Sequence, residues 1–203
     1  MGIYARHILP RLISAGMKNK AMAEHRPRIP GLARGRVLEV GMGSGLNLPF
    51  YTNAVEHLFG LEPSAHLRAE AAEQIERAPF PVDVIPTGAE QIPLGDGSVD
   101  TVVSTWTLCS IPELDRALLE MRRVLKPGGE LLFMEHGRAP DPGVAVWQDR
   151  LAPILRGLAG CNPNRQIDTA IAAAGFRFIE IERSYFDGPK FIAYHFVGRA
   201  VAG

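Results

Sequence analysis

The sequence predicts an α/β protein built on a mostly parallel sheet, with helices on both faces and an antiparallel hairpin at its C-terminal end. Three observations carry this prediction. From residue 36 onward, short apolar runs alternate with helix-period segments, the pattern of strands joined by crossover helices. The first of these runs ends directly in Gly41-Met42-Gly43-Ser44-Gly45, at the point where parallel sheets place their ligands. Two late apolar runs are joined through Asp187-Gly188-Pro189 with no helix between them, which pairs them antiparallel.

The elements follow in order. Residues 1–35 form a basic arm in which Ile8, Leu9, Leu12, Ile13 and Met17 recur near helical spacing. Pro10 either sits near the start of that short amphipathic helix or kinks it, and Pro27, Pro30 and Gly31 break the chain after it. Strands are expected over 37–40, 57–61, 82–85, 99–104, 130–134, 176–183 and 191–199. Helices are expected over 64–77, with Ser64 as N-cap, over 114–125, stopped by Pro127-Gly128-Gly129, and over 144–158 and 165–174. Residues 36–203 then form one domain, with the arm of 1–35 packing on it.

The 203 residues fit a single domain, long enough to need no disulfides. Two cysteines, Cys109 and Cys161, exclude a disulfide scaffold. No apolar run approaches the roughly 20 residues of a membrane span, and no secretory signal is read at the start, so a cytoplasmic protein is expected. Lys+Arg and Asp+Glu both number 22, which argues against a broad nucleic-acid surface. That balance is uneven. The first 35 residues carry seven cations and one acid, a net +6, and the rest a net −6. The arm either packs across the acidic body or meets an anionic surface, a membrane included.

The glycine loop marks a ligand crevice, since glycine permits positive φ and close approach of a ligand. Its glycines fall as G-x-G-x-G, with Leu46 where the dinucleotide fingerprint has its third glycine. Glu39, two residues before the loop, suits a cation better than a pyrophosphate. Glu62 ends the second strand in Leu61-Glu62-Pro63, where an acid accepts hydrogen bonds from the ribose of an adenosine ligand.

Further stretches join these in order: Gly88-Ala89-Glu90-Gln91-Ile92-Pro93, Asp96-Gly97-Ser98-Val99-Asp100 and Arg123-Val124-Leu125-Lys126-Pro127-Gly128-Gly129. With the glycine loop they resemble the class I S-adenosylmethionine-dependent methyltransferases over roughly residues 35–135. Within that superfamily the chain is similar to the branch of quinone and phospholipid methyltransferases, and above all to small thiol methyltransferases of animal membranes. Gly45-Leu46-Asn47-Leu48-Pro49-Phe50-Tyr51, Thr107-Leu108-Cys109-Ser110 and Glu135-His136 carry that likeness. The chain departs from those enzymes in having a basic arm where they have a hydrophobic anchor.

The resemblance implies a Rossmann-like seven-stranded sheet and S-adenosylmethionine as cofactor. It implies that Gly41, Gly43, Gly45 and Asn47 line the cofactor, that Glu39 orients the loop or binds the methionine ammonium, and that Glu62 holds the ribose. It places Pro63 against the adenine, Ala89 and Glu90 at the adenine edge, and Thr105 and Trp106 at the reacting methyl. The acceptor is then a small apolar or amphiphilic molecule: a thiol, a lipid amine or a quinol-type ring. Strand four continues into Thr105-Trp106-Thr107-Leu108 rather than the Asn/Asp-Pro-Pro-Tyr of amide- and base-methylating enzymes.

His136 is a candidate general base, or else a hydrogen-bonded structural histidine. Cys109 reads as a buried structural thiol. No cysteine and histidine stand at metal-ligand spacing, so no metal site is expected. Tyr4, His7, Tyr51, Trp106, Trp147 and Tyr185 either line an aromatic pocket or fill the core. Two alternatives remain: a non-catalytic S-adenosylmethionine-binding protein on the same fold, and a nicotinamide-dependent oxidoreductase. The missing third glycine and the Pro-Gly-Gly before strand five argue against the latter.

Overall fold

The computed structural model describes Arg11, Ser14, Gly16, Met17 and residues 20–203. Most of the expected arm helix, with Tyr4 and His7, lies outside the described residues. Seven strands form one sheet: β1 (Gly35–Val40), β2 (Val55–Leu61), β3 (Val82–Ile85), β4 (Val99–Thr105), β5 (Leu125–His136), β6 (Phe176–Tyr185) and β7 (Tyr194–Ala202). Their order across the sheet is β3-β2-β1-β4-β5-β7-β6. The pairs from β3 to β5 are parallel, and β7 runs antiparallel to both β5 and β6. The expected mostly parallel sheet with a closing antiparallel hairpin is therefore present.

From residue 20 onward the α-helices are α1 (Lys20–His25), α2 (Ala65–Arg77), α3 (Leu114–Val124), α4 (Pro142–Ala159), α5 (Ile167–Ala173) and α6 (Lys190–Ala193). Ser64 caps α2 as expected, its hydroxyl accepting from the Leu67 N–H at 3.4 Å. Successive side chains on β1 point to opposite faces. Val37 joins a core with Leu58, Val103, Leu132 and Ala71 of α2, while Leu38 joins a second with Val102, Leu131, Leu118 and Met121 of α3, and Ile167 and Ile171 of α5. Burial on both sides explains why the central strands read as continuous apolar runs.

Most boundaries shift by a residue or more, and two shifts have a clear local cause. β5 begins at Leu125, so Pro127-Gly128-Gly129 lies inside the strand rather than before it. The β4–β5 register shifts at this point, which absorbs the proline and the positive φ of Gly128 (78°). β7 starts at Tyr194, because 190–193 coil into α6 after Pro189.

The described part of the arm is tied to the body. Arg28 pairs with Glu182 at 2.5 Å and Arg34 with Glu130 at 2.9 Å. Arg26 is buried at 5% exposure. No helix among the described residues is long and apolar enough to cross a membrane.

Candidate active site

β1 lies between β2 and β4, so the loops leaving β1 and β4 diverge and open a crevice at the carboxyl ends of the strands. The β1 loop is shaped by its glycines. Gly41 has φ +69°, and a Cβ there would collide with the Thr107 side chain. The two loops thus touch through a position that admits no side chain. At Gly43 (φ +59°) a Cβ would meet only the Gly41 carbonyl oxygen, 3.9 Å away, which leaves its face open to a ligand.

Glu39 is the hub of the crevice wall. It is buried, and it accepts from Asn47 Nδ2 at 2.6 Å and from the Tyr51 hydroxyl at 2.9 Å. Asn47 Nδ2 also donates to Thr105 Oγ1 at 3.0 Å, and its Oδ1 accepts from Arg26 Nη1 at 2.9 Å. Arg26 Nη2 donates to the Met17 carbonyl at 3.0 Å, and its guanidinium lies 5.0 Å over the Trp106 ring. Burial pushes the Glu39 carboxyl up to about 7, against the donors Tyr51 and Asn47 and the charge of Arg26.

Glu62 is buried at the end of β2. Its Oε2 accepts from the Gly43 N–H at 3.0 Å and its Oε1 from the Ser64 N–H at 2.7 Å. Burial raises its pKa, opposed by those two backbone donors and by Arg68. Each oxygen keeps a further lone pair. Pro63 is exposed, Ala89 is buried in the core, and Glu90 is half-buried.

Trp106 combines burial with φ +52°, a conformation rarely adopted by a bulky residue and often found at functional sites. Its Nε1 donates to His195 Nε2 at 3.0 Å, and His195 Nδ1 in turn donates to the Ala193 carbonyl at 2.7 Å. The imidazole is therefore the neutral Nδ1–H tautomer, and burial pulls its pKa down to about 4. Phe186 stacks on His195 with ring centroids 4.0 Å apart, and His25 of the arm stacks on Phe186 at 3.6 Å.

Of the residues singled out by sequence, Glu39, Asn47, Thr105 and Trp106 meet in one network, and Gly43 joins Glu62. His136 contacts other groups. Its Nε2 lies 3.1 Å from Cys161 Sγ, and its Nδ1 is buried with no hydrogen-bond partner. Next to it, Glu135 is fully buried and accepts from Ser104 Oγ and from the N–H groups of Thr107 and Leu108 at 2.7–3.1 Å. These three donors pin the loop after β4 to the end of β5.

The described aromatics named from sequence divide between interior and surface. Tyr51 and Trp106 are buried, but Trp147 is 58% exposed on α4 and Tyr185 is 38% exposed. Its neighbour Gln148 is the buried residue, clamping the carbonyls of Gly137, Pro163 and Phe191 through Nε2. Arg26, Phe186 and His195 were not singled out by sequence, and Glu135 entered only within the Glu135-His136 stretch, with no role of its own. Only Glu135 carried a local signal, as a carboxylate ending an otherwise apolar strand.

Residues 38–133 match the family described as a methyltransferase domain. The chain is 34% identical over 165 residues to human thiol S-methyltransferase TMT1B, covering 77% of this chain and 67% of that one. It is 38% identical over 115 residues to phosphatidylethanolamine N-methyltransferase of Cereibacter sphaeroides, covering 55% and 56% of the two chains. A solved S-adenosylmethionine-dependent methyltransferase from Thermotoga maritima superposes with TM-score 0.70 at 21% identity, covering 97% of this chain and 99% of that one, and supports the fold. The chain belongs to the S-adenosylmethionine-dependent methyltransferases. Its cofactor is the S-adenosylmethionine of that family.

Proposed function

We propose that this protein transfers a methyl group from S-adenosylmethionine to a small apolar or amphiphilic acceptor, a thiol first among them. The observation that carries the reading is the crevice itself. A buried Glu39–Asn47–Thr105 network adjoins Trp106 on one side of an open-faced Gly43 held by Glu62. The residues fit the cofactor. Glu62 keeps a lone pair on each oxygen for the ribose hydroxyls, Gly43 presents backbone without a side chain, and Glu39 supplies a carboxylate for the methionine ammonium. Gly41 and Gly45 shape the same loop. Pro63, Ala89 and Glu90 follow β2 and β3, on the side of the crevice that suits the adenine.

S-adenosylmethionine brings a methyl on a sulfonium, whose leaving group departs neutral and needs no general acid. The chain's part is alignment, which supplies roughly 7–11 kcal/mol when two reactants are held in line. Asn47, bonded on three sides to Glu39, Thr105 and Arg26, holds the wall stiffly. Trp106, backed by His195 and Phe186, offers an aromatic surface to a cation and to an apolar acceptor. A thiol as acidic as a free cysteine, with a pKa near 8.5, is partly ionised at neutral pH and requires no strong base.

The thiol is favoured by the likeness to the human thiol methyltransferase. A phospholipid amine is the second reading, favoured by the 38% identity to the bacterial phosphatidylethanolamine enzyme. Incubation with methyl-labelled cofactor and a panel of alkyl thiols, phosphatidylethanolamine vesicles and quinols tests both. Label in the thioether supports the first reading, and label only in lipid supports the second. No labelled product from any acceptor, with cofactor bound, leaves a non-catalytic binding protein.

A further inference from the structure

Cys109, His136 and Cys161 are far apart in sequence, and the fold brings them together. Cys109 lies on the loop after β4, His136 ends β5, and Cys161 follows Gly160, the left-handed cap of α4. One ligand atom from each, two thiol sulfurs and an imidazole nitrogen, lies within 4.8 Å of the others. The Cys161 Sγ to His136 Nε2 distance is 3.1 Å. We propose that these three side chains form a binding site for a soft divalent metal ion, zinc by its donor set.

Four properties support it. The donor set, two sulfurs and one imidazole, is that of zinc, and hard cations such as magnesium prefer oxygen. The spacing suits tetrahedral coordination: bonds of about 2.3 Å to sulfur and about 2.0 Å to nitrogen put ligand atoms roughly 3.5–3.8 Å apart. The observed separations, 3.1 Å between Cys161 Sγ and His136 Nε2 and at most 4.8 Å for the rest, bracket that range.

The scaffold is also stiff. Asn162 donates to the Cys109 carbonyl from both its backbone N–H and its Nδ2, each at 3.0 Å, and Arg165 donates to the Leu108 carbonyl. The loops carrying the two cysteines are thus fastened together before any ion binds. Finally, the group is poorly satisfied as it stands. Cys109 Sγ lies 3.4 Å from Ser110 Oγ and 3.9 Å from the Trp106 carbonyl, and the contact of His136 Nε2 is with the Cys161 sulfur. Thiols are weak hydrogen bonders, so these contacts satisfy the group poorly.

The ion joins the loop after β4 to β5 and α4. Trp106 stands three residues before Cys109, so the same ion steadies the strained wall of the crevice. Three protein ligands leave a fourth position for water or a further donor.

Metal analysis of the full chain, purified under reducing conditions and dialysed against zinc-free buffer after zinc loading, tests the site. About one equivalent retained per chain is expected. Cobalt(II) in its place should give the intense sulfur-to-metal charge-transfer absorption of thiolate coordination. Cys161→Ser, at a half-buried position, should weaken binding by roughly tenfold or more and diminish that band. Retention below a tenth of an equivalent overturns the proposal, as does cobalt binding with no thiolate band or zinc affinity unchanged in Cys109→Ser/Cys161→Ser. The readouts are independent of methyl transfer, so a failed acceptor assay leaves them intact.

Discussion

At the scale of single residues, two buried carboxylates carry the crevice and respond differently to change. Glu62 faces backbone donors and the proposed ribose. Glu62→Ala is expected to weaken S-adenosylmethionine binding by roughly 1–3 kcal/mol, the cost of removing a buried acceptor. Isothermal titration checks this, and an unchanged affinity places the ribose elsewhere. Glu39 faces Asn47 and Tyr51, and burial lifts its pKa from 4.5 to about 7. The folded state therefore holds a proton that the unfolded chain has already released. The stabilisation belonging to the neutral carboxyl is present below about pH 4.5 and is lost as pH rises through about 7. Denaturant titrations across that window should show a decline on the order of 3 kcal/mol that is absent in Glu39→Gln. Parallel pH profiles for the two proteins would show that Glu39 is already ionised across the window.

At the scale of elements, the arm and the glycine loop are one structure. Arg26 leaves the arm, bonds Asn47 in the loop and covers Trp106 after β4. Arg26→Met keeps much of the apolar stem but leaves Asn47 Oδ1 and the Met17 carbonyl without their donor. A stability loss of roughly 1–3 kcal/mol is expected in urea unfolding, together with weaker cofactor binding. A loss of stability alone would mean that the arm serves folding and not the crevice. Element boundaries show what could be read locally. The helix at α2 was legible because Ser64 caps it and its apolar spacing is helical. The continuation of β5 through Pro127-Gly128-Gly129 was not. Its irregular pairing with β4 stabilises a conformation that local rules associate with a stop.

At the scale of the whole molecule, the order of strands places β1 beside β4 and opens one crevice at their carboxyl ends. A ligand seated there binds only the folded state, so S-adenosylmethionine at a hundredfold its Kd should add about 2.7 kcal/mol of stability. For a chain of 203 residues that corresponds to a rise in Tm of roughly 5–10 °C. Differential scanning fluorimetry measures it, with a nicotinamide dinucleotide as control. A shift produced by the dinucleotide and not by S-adenosylmethionine would contradict the assignment of the crevice.

The zero net charge also takes on a different meaning at this scale. Arg26, Arg28 and Arg34 of the basic arm are bonded to Asn47, Glu182 and Glu130 of the acidic body. Two of the arm's cations, Arg28 and Arg34, are thus matched by acids of the body.

The amino-acid sequence by itself determined the α/β class, the crevice-forming glycine loop, the two acids beside it and the family. These are written in local period, in turn chemistry and in short motifs, which need no knowledge of distant neighbours. Tertiary structure alone decided which side chains meet: Arg26 with Asn47, Trp106 with His195, and Cys109 with His136 and Cys161. Those contacts join residues separated by 21 to 89 positions. No local rule predicts them, because strand order and the packing of loops at the sheet's edge create them.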